Sequence, residues 1–128
     1  MQRFTDLAVW QRSHALVLQV YRLSRTFPSD ERFGLTSQLR RAALSVPTNI
    51  AEGSKRQSNQ EYARFLNIAE GSLVETEYLL MVGRDLGYLA PDSAKAALDE
   101  LSEIARMLNS LRKAVEKTVE SQKSKVKS

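Results

Sequence analysis

The apolar residues of this chain recur at steps of three and four positions, and this spacing constrains the fold more than any other feature of the sequence. Such steps place side chains on one face of a helix, whereas a half-buried strand needs strict alternation. Only three Pro and five Gly interrupt the pattern in 128 residues, and no long stretch alternates. We therefore predict an all-α protein.

Breaks in this pattern divide the chain into four helices. Pro28 ends the first helix, Pro91 opens the fourth, and Gly87 is a candidate C-cap for the third. Ser58 and Glu61 have the spacing of a capping box at the start of the third helix. The predicted helices cover about residues 7–27, 35–56, 58–86 and 91–117.

Four long helices with short connections predict an antiparallel up-down-up-down four-helix bundle, which we place over residues 1–117. The net charge of +4 arises mainly in residues 113–128, which hold five Lys and two Glu. This composition cannot bury itself, so residues 118–128 are predicted to form a disordered, Lys-rich tail. The chain has no Cys and no apolar run long enough to span a membrane, and we expect a cytoplasmic protein.

The first and third predicted helices each carry a second apolar face, although a bundle helix needs only one. Large exposed apolar faces are typical of proteins that associate, so we predict a homo-oligomer. The predicted interface residues are Val9, Leu16, Val20 and Leu23 of the first helix and Asn67, Gly71, Val74, Tyr78 and Met81 of the third.

The hexapeptide Asn-Ile-Ala-Glu-Gly-Ser occurs twice, at residues 49–54 and 67–72. The flanking residues do not match, which favours convergent use of one short sequence over a duplicated site. In the second copy, Gly71 falls on the second apolar face, where a missing side chain would let another backbone approach closely. Asn49 and Glu52 of the first copy are interpreted as polar residues that fix the register between helices or subunits.

The run GLTSQLRRAALSVPTNIAEGSKRQSNQEYARFLNIAEGSLVETEYLL, preceded by LAVWQRSHAL, resembles the four-helix-bundle proteins of the 23S rRNA intervening-sequence family. The resemblance extends over about residues 4–111. It implies a homopentameric ring with no established biochemical activity. A related bundle is the accessory subunit of diversity-generating retroelements, where a basic pentamer binds reverse transcriptase and nucleic acid.

The residues give little support to catalysis. General acid–base and nucleophilic mechanisms usually need a His, a Cys or an activated Ser beside a positioned partner, and the only His is His14, on an apolar face. We expect no enzymatic activity and no cofactor. A carboxylate metal site remains an alternative, although nothing in the spacing of its potential ligands demands a metal. These potential ligands are Glu52, Glu61, Glu70, Glu75 and Glu77.

The sequence thus favours a non-catalytic, homo-oligomeric scaffold, which the resemblance makes a pentamer. A further alternative is an RNA- or DNA-binding ring that assists a nucleic-acid enzyme. Its candidate contacts are Arg40, Arg41, Lys55 and Arg56. Residues 36–59 contain these four basic residues and only one acidic residue. No sequence-reading motif is present, so such binding would be directed at the phosphate backbone and would depend steeply on salt.

Overall fold

The computed structural model describes residues 3–127, and the side chains of residues 3–125. Its four helices are α1 (Ala8–Ser24), α2 (Leu35–Ser54), α3 (Asn59–Asp85) and α4 (Pro91–Lys127). Single 3₁₀ turns at Phe4–Asp6 and Ser29–Glu31 precede α1 and α2. No strand occurs in residues 3–127, and the prediction of an all-α four-helix fold is confirmed.

Each helix packs against its two neighbours in the bundle. Close backbone contacts join α1 to α2, α2 to α3, α3 to α4 and α4 to α1, while in the described part of the chain no Cα atoms of the diagonal pairs come within 8 Å of each other. The connections between consecutive helices are short, as expected for antiparallel neighbours. The face formed by α1 and α2 is therefore opposite the face formed by α3 and α4.

Aliphatic side chains from all four helices fill the centre of the bundle. Burying one such side chain contributes about 1.5–3 kcal/mol, and the summed burial offsets the entropy that the chain loses on folding. The aliphatic side chains larger than Ala that are 1% exposed or less are Leu16 and Val20 of α1, Leu39, Val46 and Ile50 of α2, Leu66 and Leu80 of α3, and Ile104 and Leu108 of α4.

The predicted start and end of α3 agree with the structure. Ser58 is the N-cap, and its Oγ accepts a hydrogen bond from the backbone amide of Glu61 at 3.1 Å. Gly87 follows the C-terminal end with a φ of +79°, a backbone conformation that favours glycine. The first helix ends earlier than predicted, at Ser24, because the amide of Phe27 bonds to the Ser24 carbonyl in a tighter turn.

The fourth helix continues through Lys127, beyond the predicted end at residue 117. The structure therefore differs from the predicted disordered tail over residues 118–127, while Ser128 lies outside the described residues. Residues 92–127 contain neither Pro nor Gly, so nothing in the sequence breaks the helix. The apolar stripe also continues past the bundle core, with Val115 buried and Val119 half-buried.

Candidate assembly surfaces

An apolar ridge runs along the outer side of α3. Val74 and Tyr78 are 64% and 63% exposed, and Met81 is 37% exposed. Asn67 and Gly71 are exposed on the same face, since all five residues follow one another at three- and four-residue steps. A Cβ atom added to Gly71 would meet no atom within 4 Å. We call these five residues the α3 ridge.

The α1 residues that the sequence predicts at the oligomer interface belong to the core instead. Val9 is 5% exposed, Leu16 is 1% exposed and Val20 is fully buried, while Leu23 is half-buried against the core. This placement corrects the assignment of these four residues to an oligomer interface. This face of α1 is aliphatic except for Ser13 and Ser24, whose hydroxyls donate to backbone carbonyls of α1, so its burial leaves no polar group without a partner.

The other face of α1 forms an open apolar groove with α2. The ring of His14 stacks on Trp10, with the two centroids 5.1 Å apart and the planes inclined by 6°. Leu18 and Leu44 are 47% and 42% exposed. We call the following residues the α1/α2 groove: Trp10, His14, Leu18 and Tyr21 from α1, and Leu44, Pro47, Thr48 and Ala51 from α2.

Sequence reasoning missed the wall that α2 gives to this groove. Leu44 is off the helical spacing of the core residues Leu39 and Val46, and its neighbours at three- and four-residue steps include Arg40, Arg41 and Thr48, so it gave no sign of a second apolar face. The α1 wall carried a clearer signal. Trp10, His14 and Tyr21 combine an apolar ring with a polar group, and such side chains favour positions at the border of a core.

The four candidate nucleic-acid contacts do not form a single patch. Arg40 and Arg41 lie in the first half of α2, whereas Lys55 and Arg56 follow its last residue. A helix rises about 1.5 Å per residue, so roughly 20 Å separates the two pairs. The excess of basic residues that the sequence shows locally is therefore divided between the two ends of the helix.

Two of these arginines are held by contacts within the chain. The Nε of Arg40 donates a hydrogen bond to the Oγ of Ser24 at 2.8 Å, and its guanidinium carbon lies 4.7 Å from the centre of the Tyr21 ring. The guanidinium of Arg56 stacks on Phe65 at 4.6 Å. Cation–π contacts of this kind hold each guanidinium over a ring of the same chain.

The α1/α2 groove continues into a basic depression near the start of α2. Phe33 is 87% exposed, and the guanidinium carbon of Arg32 lies 5.2 Å from its ring centre. The groove and the depression share two lining residues, Tyr21 and Leu44. Three arginines surround the depression, namely Arg32, Arg40 and Arg41.

The carboxylates considered as metal ligands are dispersed. The Nε of Arg64 donates to Glu61 at 2.7 Å, and this contact holds the pKa of the Glu61 carboxyl below its usual range. Glu70 is paired with Arg112 of α4, and Glu52 is exposed. Within the part of the chain that the structure describes, no three His, Asp or Glu side chains are grouped closely enough to hold a metal ion. The geometry gives the metal-binding alternative no support.

Comparison with protein families gives one match, which covers both surfaces. The model of the 23S rRNA-intervening sequence protein family matches residues 5–110. The chain is a member of this family. The matched region includes all of α1, α2 and α3 and the first part of α4, so the α3 ridge and the α1/α2 groove both lie inside the family domain.

A solved structure is similar to this family member over most of its length. It is the crystal structure of a protein of unknown function from the S23 ribosomal protein family of Bacteroides thetaiotaomicron VPI-5482. The two chains are 25% identical, the match covers 83% of this chain and 99% of the other, and the TM-score is 0.77. Comparison with curated proteins gives no match. Among the described helices, none has the length and apolar character needed to cross a membrane.

Proposed function

We propose that this member of the 23S rRNA-intervening sequence protein family is a non-catalytic, homo-oligomeric scaffold whose assembled form is a pentameric ring. The exposure of the α3 ridge supports this proposal. Val74 and Tyr78 stand about two-thirds exposed on one continuous helix face. Contiguous apolar surfaces of this kind mark sites of association in most proteins.

The energetic argument follows from the exposed fractions. Fully burying a large apolar side chain is worth about 1.5–3 kcal/mol, so covering the exposed part of Val74 or Tyr78 is worth roughly 1–2 kcal/mol each. A ring repeats the same interface around its circumference, and closure makes the last contact intramolecular.

The mass of the particle in solution tests this proposal. Light scattering at micromolar concentration should give several times the mass of one chain. Replacing Gly71 with Leu should break the oligomer, because the new side chain fills the gap in the ridge where a neighbour would approach. Circular dichroism should show unchanged helicity, since a Cβ atom at this position meets no atom of its own chain.

The matched control is Ala96→Leu, which places the same side chain on an exposed position of α4. This variant should keep the mass of the unmodified protein. A wild-type protein that remains a single chain at micromolar concentration would reject the scaffold proposal.

Backbone-directed binding of RNA or DNA, in support of a nucleic-acid enzyme, is a second candidate function. One observation favours it: Arg32 and Arg41 border a depression beside Phe33, and Phe33 offers an exposed ring on which a base could stack. We therefore propose this binding at the start of α2, away from Lys55 at the other end.

Retention of generic RNA on an immobilised protein tests the second candidate. The double variant Arg32→Ala/Arg41→Ala should weaken retention at low salt, while Lys55→Ala should leave it nearly unchanged. Raising the salt concentration should weaken retention of the wild type steeply, because phosphate contacts release counterions. Absence of retention by the wild type at low salt would reject this function and leave the scaffold proposal intact.

A further inference from the structure

We infer that the α1/α2 groove is the docking site for the α3 ridge of a second copy of this chain, so that copies join head to tail. This inference rests on the proposed oligomer and names the two surfaces that meet in it. The position, the length and the charge of the two surfaces each support it.

The two surfaces lie on opposite sides of the bundle. The ridge is on the side of α3 that borders α4, since Val74 lines a surface depression together with Leu101 and Ala105. The groove lies between α1 and α2, and the cyclic order of the helices places this face opposite the α3/α4 face. One copy therefore offers its ridge to one neighbour and its groove to another.

The two surfaces are similar in length. The ridge from Asn67 to Met81 spans about 21 Å, and the groove from Trp10 to Tyr21 spans about 17 Å, at 1.5 Å per residue. Both surfaces are apolar along their centres. Leu18 and Leu44 of the groove and Val74 and Tyr78 of the ridge are the exposed side chains that such a contact would cover.

The charges of the two surfaces are opposite. Residues 65–83 of α3 contain three Glu and neither Lys nor Arg, and two of these, Glu75 and Glu77, flank the ridge. Residues 8–24 of α1 and 35–52 of α2 contain four Arg, of which Arg12 is paired with Glu100 of α4, and one acidic residue, Glu52, which lines the groove. Arg40 and Arg41 border the basic depression into which the groove continues. Opposite potentials favour this pairing and disfavour a contact between two ridges.

This pairing has a consequence for the symmetry of the assembly. A two-fold dimer brings the same surface of both copies together, whereas a ridge-to-groove contact joins two different surfaces. Each added copy leaves one ridge and one groove free until the chain of copies closes on itself. The contact therefore generates a ring, or an open filament if it does not close.

Two complementary variants test the inference. The ridge variant is Val74→Glu/Tyr78→Glu, and the groove variant is Leu18→Glu/Leu44→Glu, so that the two altered surfaces repel each other. All four positions are exposed, so both proteins should fold, which circular dichroism and thermal unfolding would verify. Each variant alone should be a single chain. An equal mixture should form a complex of two chains and nothing larger, because only one intact ridge can meet one intact groove.

A crosslinking experiment tests the same contact within the intact oligomer. Detection of the contact then does not depend on the strength of a single interface. The chain has no Cys, so each introduced thiol is unique. The double variant Leu44→Cys/Tyr78→Cys, treated with a short bis-maleimide, should give a covalent ladder up to the full assembly. Neither single variant should crosslink, and the control pair Ala96→Cys/Tyr78→Cys should not form a ladder.

In the mixing experiment, the milder variants Leu44→Ser and Tyr78→Ser replace the charged variants if these fail to fold.

Specific outcomes would overturn the inference while the scaffold proposal stands. These are a groove variant that still assembles with the wild-type mass, or a Tyr78→Cys protein that crosslinks alone into dimers. Absence of the ladder in an oligomeric double variant would also overturn it. A wild-type protein that is a single chain would instead reject the scaffold proposal itself.

Discussion

Both α1 and α3 carry apolar side chains on two faces, and the bundle uses these faces differently. In α1 the aliphatic face with Leu16 and Val20 is fully inside, and the face with Trp10 and Tyr21 lines a half-covered groove. In α3 one face is in the core, and the second, with Tyr78, stands open to water. A second apolar face can therefore be a concave wall shared with a neighbouring helix or a convex ridge that no helix of the same chain covers.

The largest effect should distinguish the two faces of α1. Leu16→Ala should lower the free energy of unfolding by about 2–5 kcal/mol, because it removes a side chain that is 1% exposed from the core. Leu18→Ala removes the same atoms from a side chain that is 47% exposed, and it should lower the free energy by less than about 1 kcal/mol.

Denaturation with urea at a fixed protein concentration measures both values, since assembly adds to apparent stability. A larger loss for Leu18→Ala than for Leu16→Ala would show that the two faces of α1 are assigned the wrong way round.

An intermediate effect should distinguish the two copies of the repeated hexapeptide. A Cβ atom at Gly53 would lie 2.7 Å from the Cβ of Phe65, so Gly53→Ala should destabilise the protein by roughly 1–3 kcal/mol. Gly71 has open space around it, and Gly71→Ala should stabilise the isolated bundle by about 0.5–1 kcal/mol. Thermal unfolding of the two variants in parallel gives the comparison. Equal destabilisation by both would show that the ridge is covered within a single chain.

The smallest effect should come from the ion pair that fixes the orientation of α1 against α4. Arg12 donates two hydrogen bonds to Glu100, at 2.6 and 2.9 Å, and this contact lowers the pKa of the Glu100 carboxyl. A carboxyl group whose pKa is lower in the folded than in the unfolded protein stabilises the fold at pH values above its unfolded-state pKa. This stabilisation is lost as the pH falls through the folded-state pKa. Glu100→Gln should therefore reduce the loss of stability between neutral and acidic pH.

Asp99→Asn is the control for this ion pair, because Asp99 pairs with Lys95 inside α4 and joins no second helix. Urea midpoints at neutral pH and at about pH 3 measure the difference. An unchanged acid dependence in Glu100→Gln would show that this pair does not help to orient α1.

The sequence predicts the number of helices because that number depends on local periodicity, and the core of α3 follows the same periodicity. Leu66, Ala69, Leu73 and Leu80 recur at helical spacing, and all are buried. The orientation of α1 could not be predicted in the same way, because two faces of similar apolar content satisfy the same period. Composition distinguishes them: the face rich in Val and Leu is inside, and the face with Trp10 and Tyr21 is at the border.

The candidate site was harder to predict than the fold. Arg40 and Arg56 belong to the same local excess of basic residues in the sequence. In the structure the length of α2 separates them, and the guanidinium of each is stacked on an aromatic ring. The wall formed by Leu44 depends on the angle between α1 and α2, which periodicity does not determine. The predicted end of α4 at residue 117 is too early, because the high Lys content of the following residues favoured a disordered tail. Lys and Glu are nevertheless good helix formers.

The continuation of α4 past the start of α3 also has an electrostatic consequence. The helix begins beside the end of α3 and runs back along it, so its last turns extend beyond the bundle, and Lys123 and Lys125 there are exposed. In a closed ring all copies have the same orientation, and every such extension emerges at the same rim. That rim would carry a circle of Lys side chains, whereas the basic depression of each copy lies toward the opposite rim, so the assembly would have two chemically different ends.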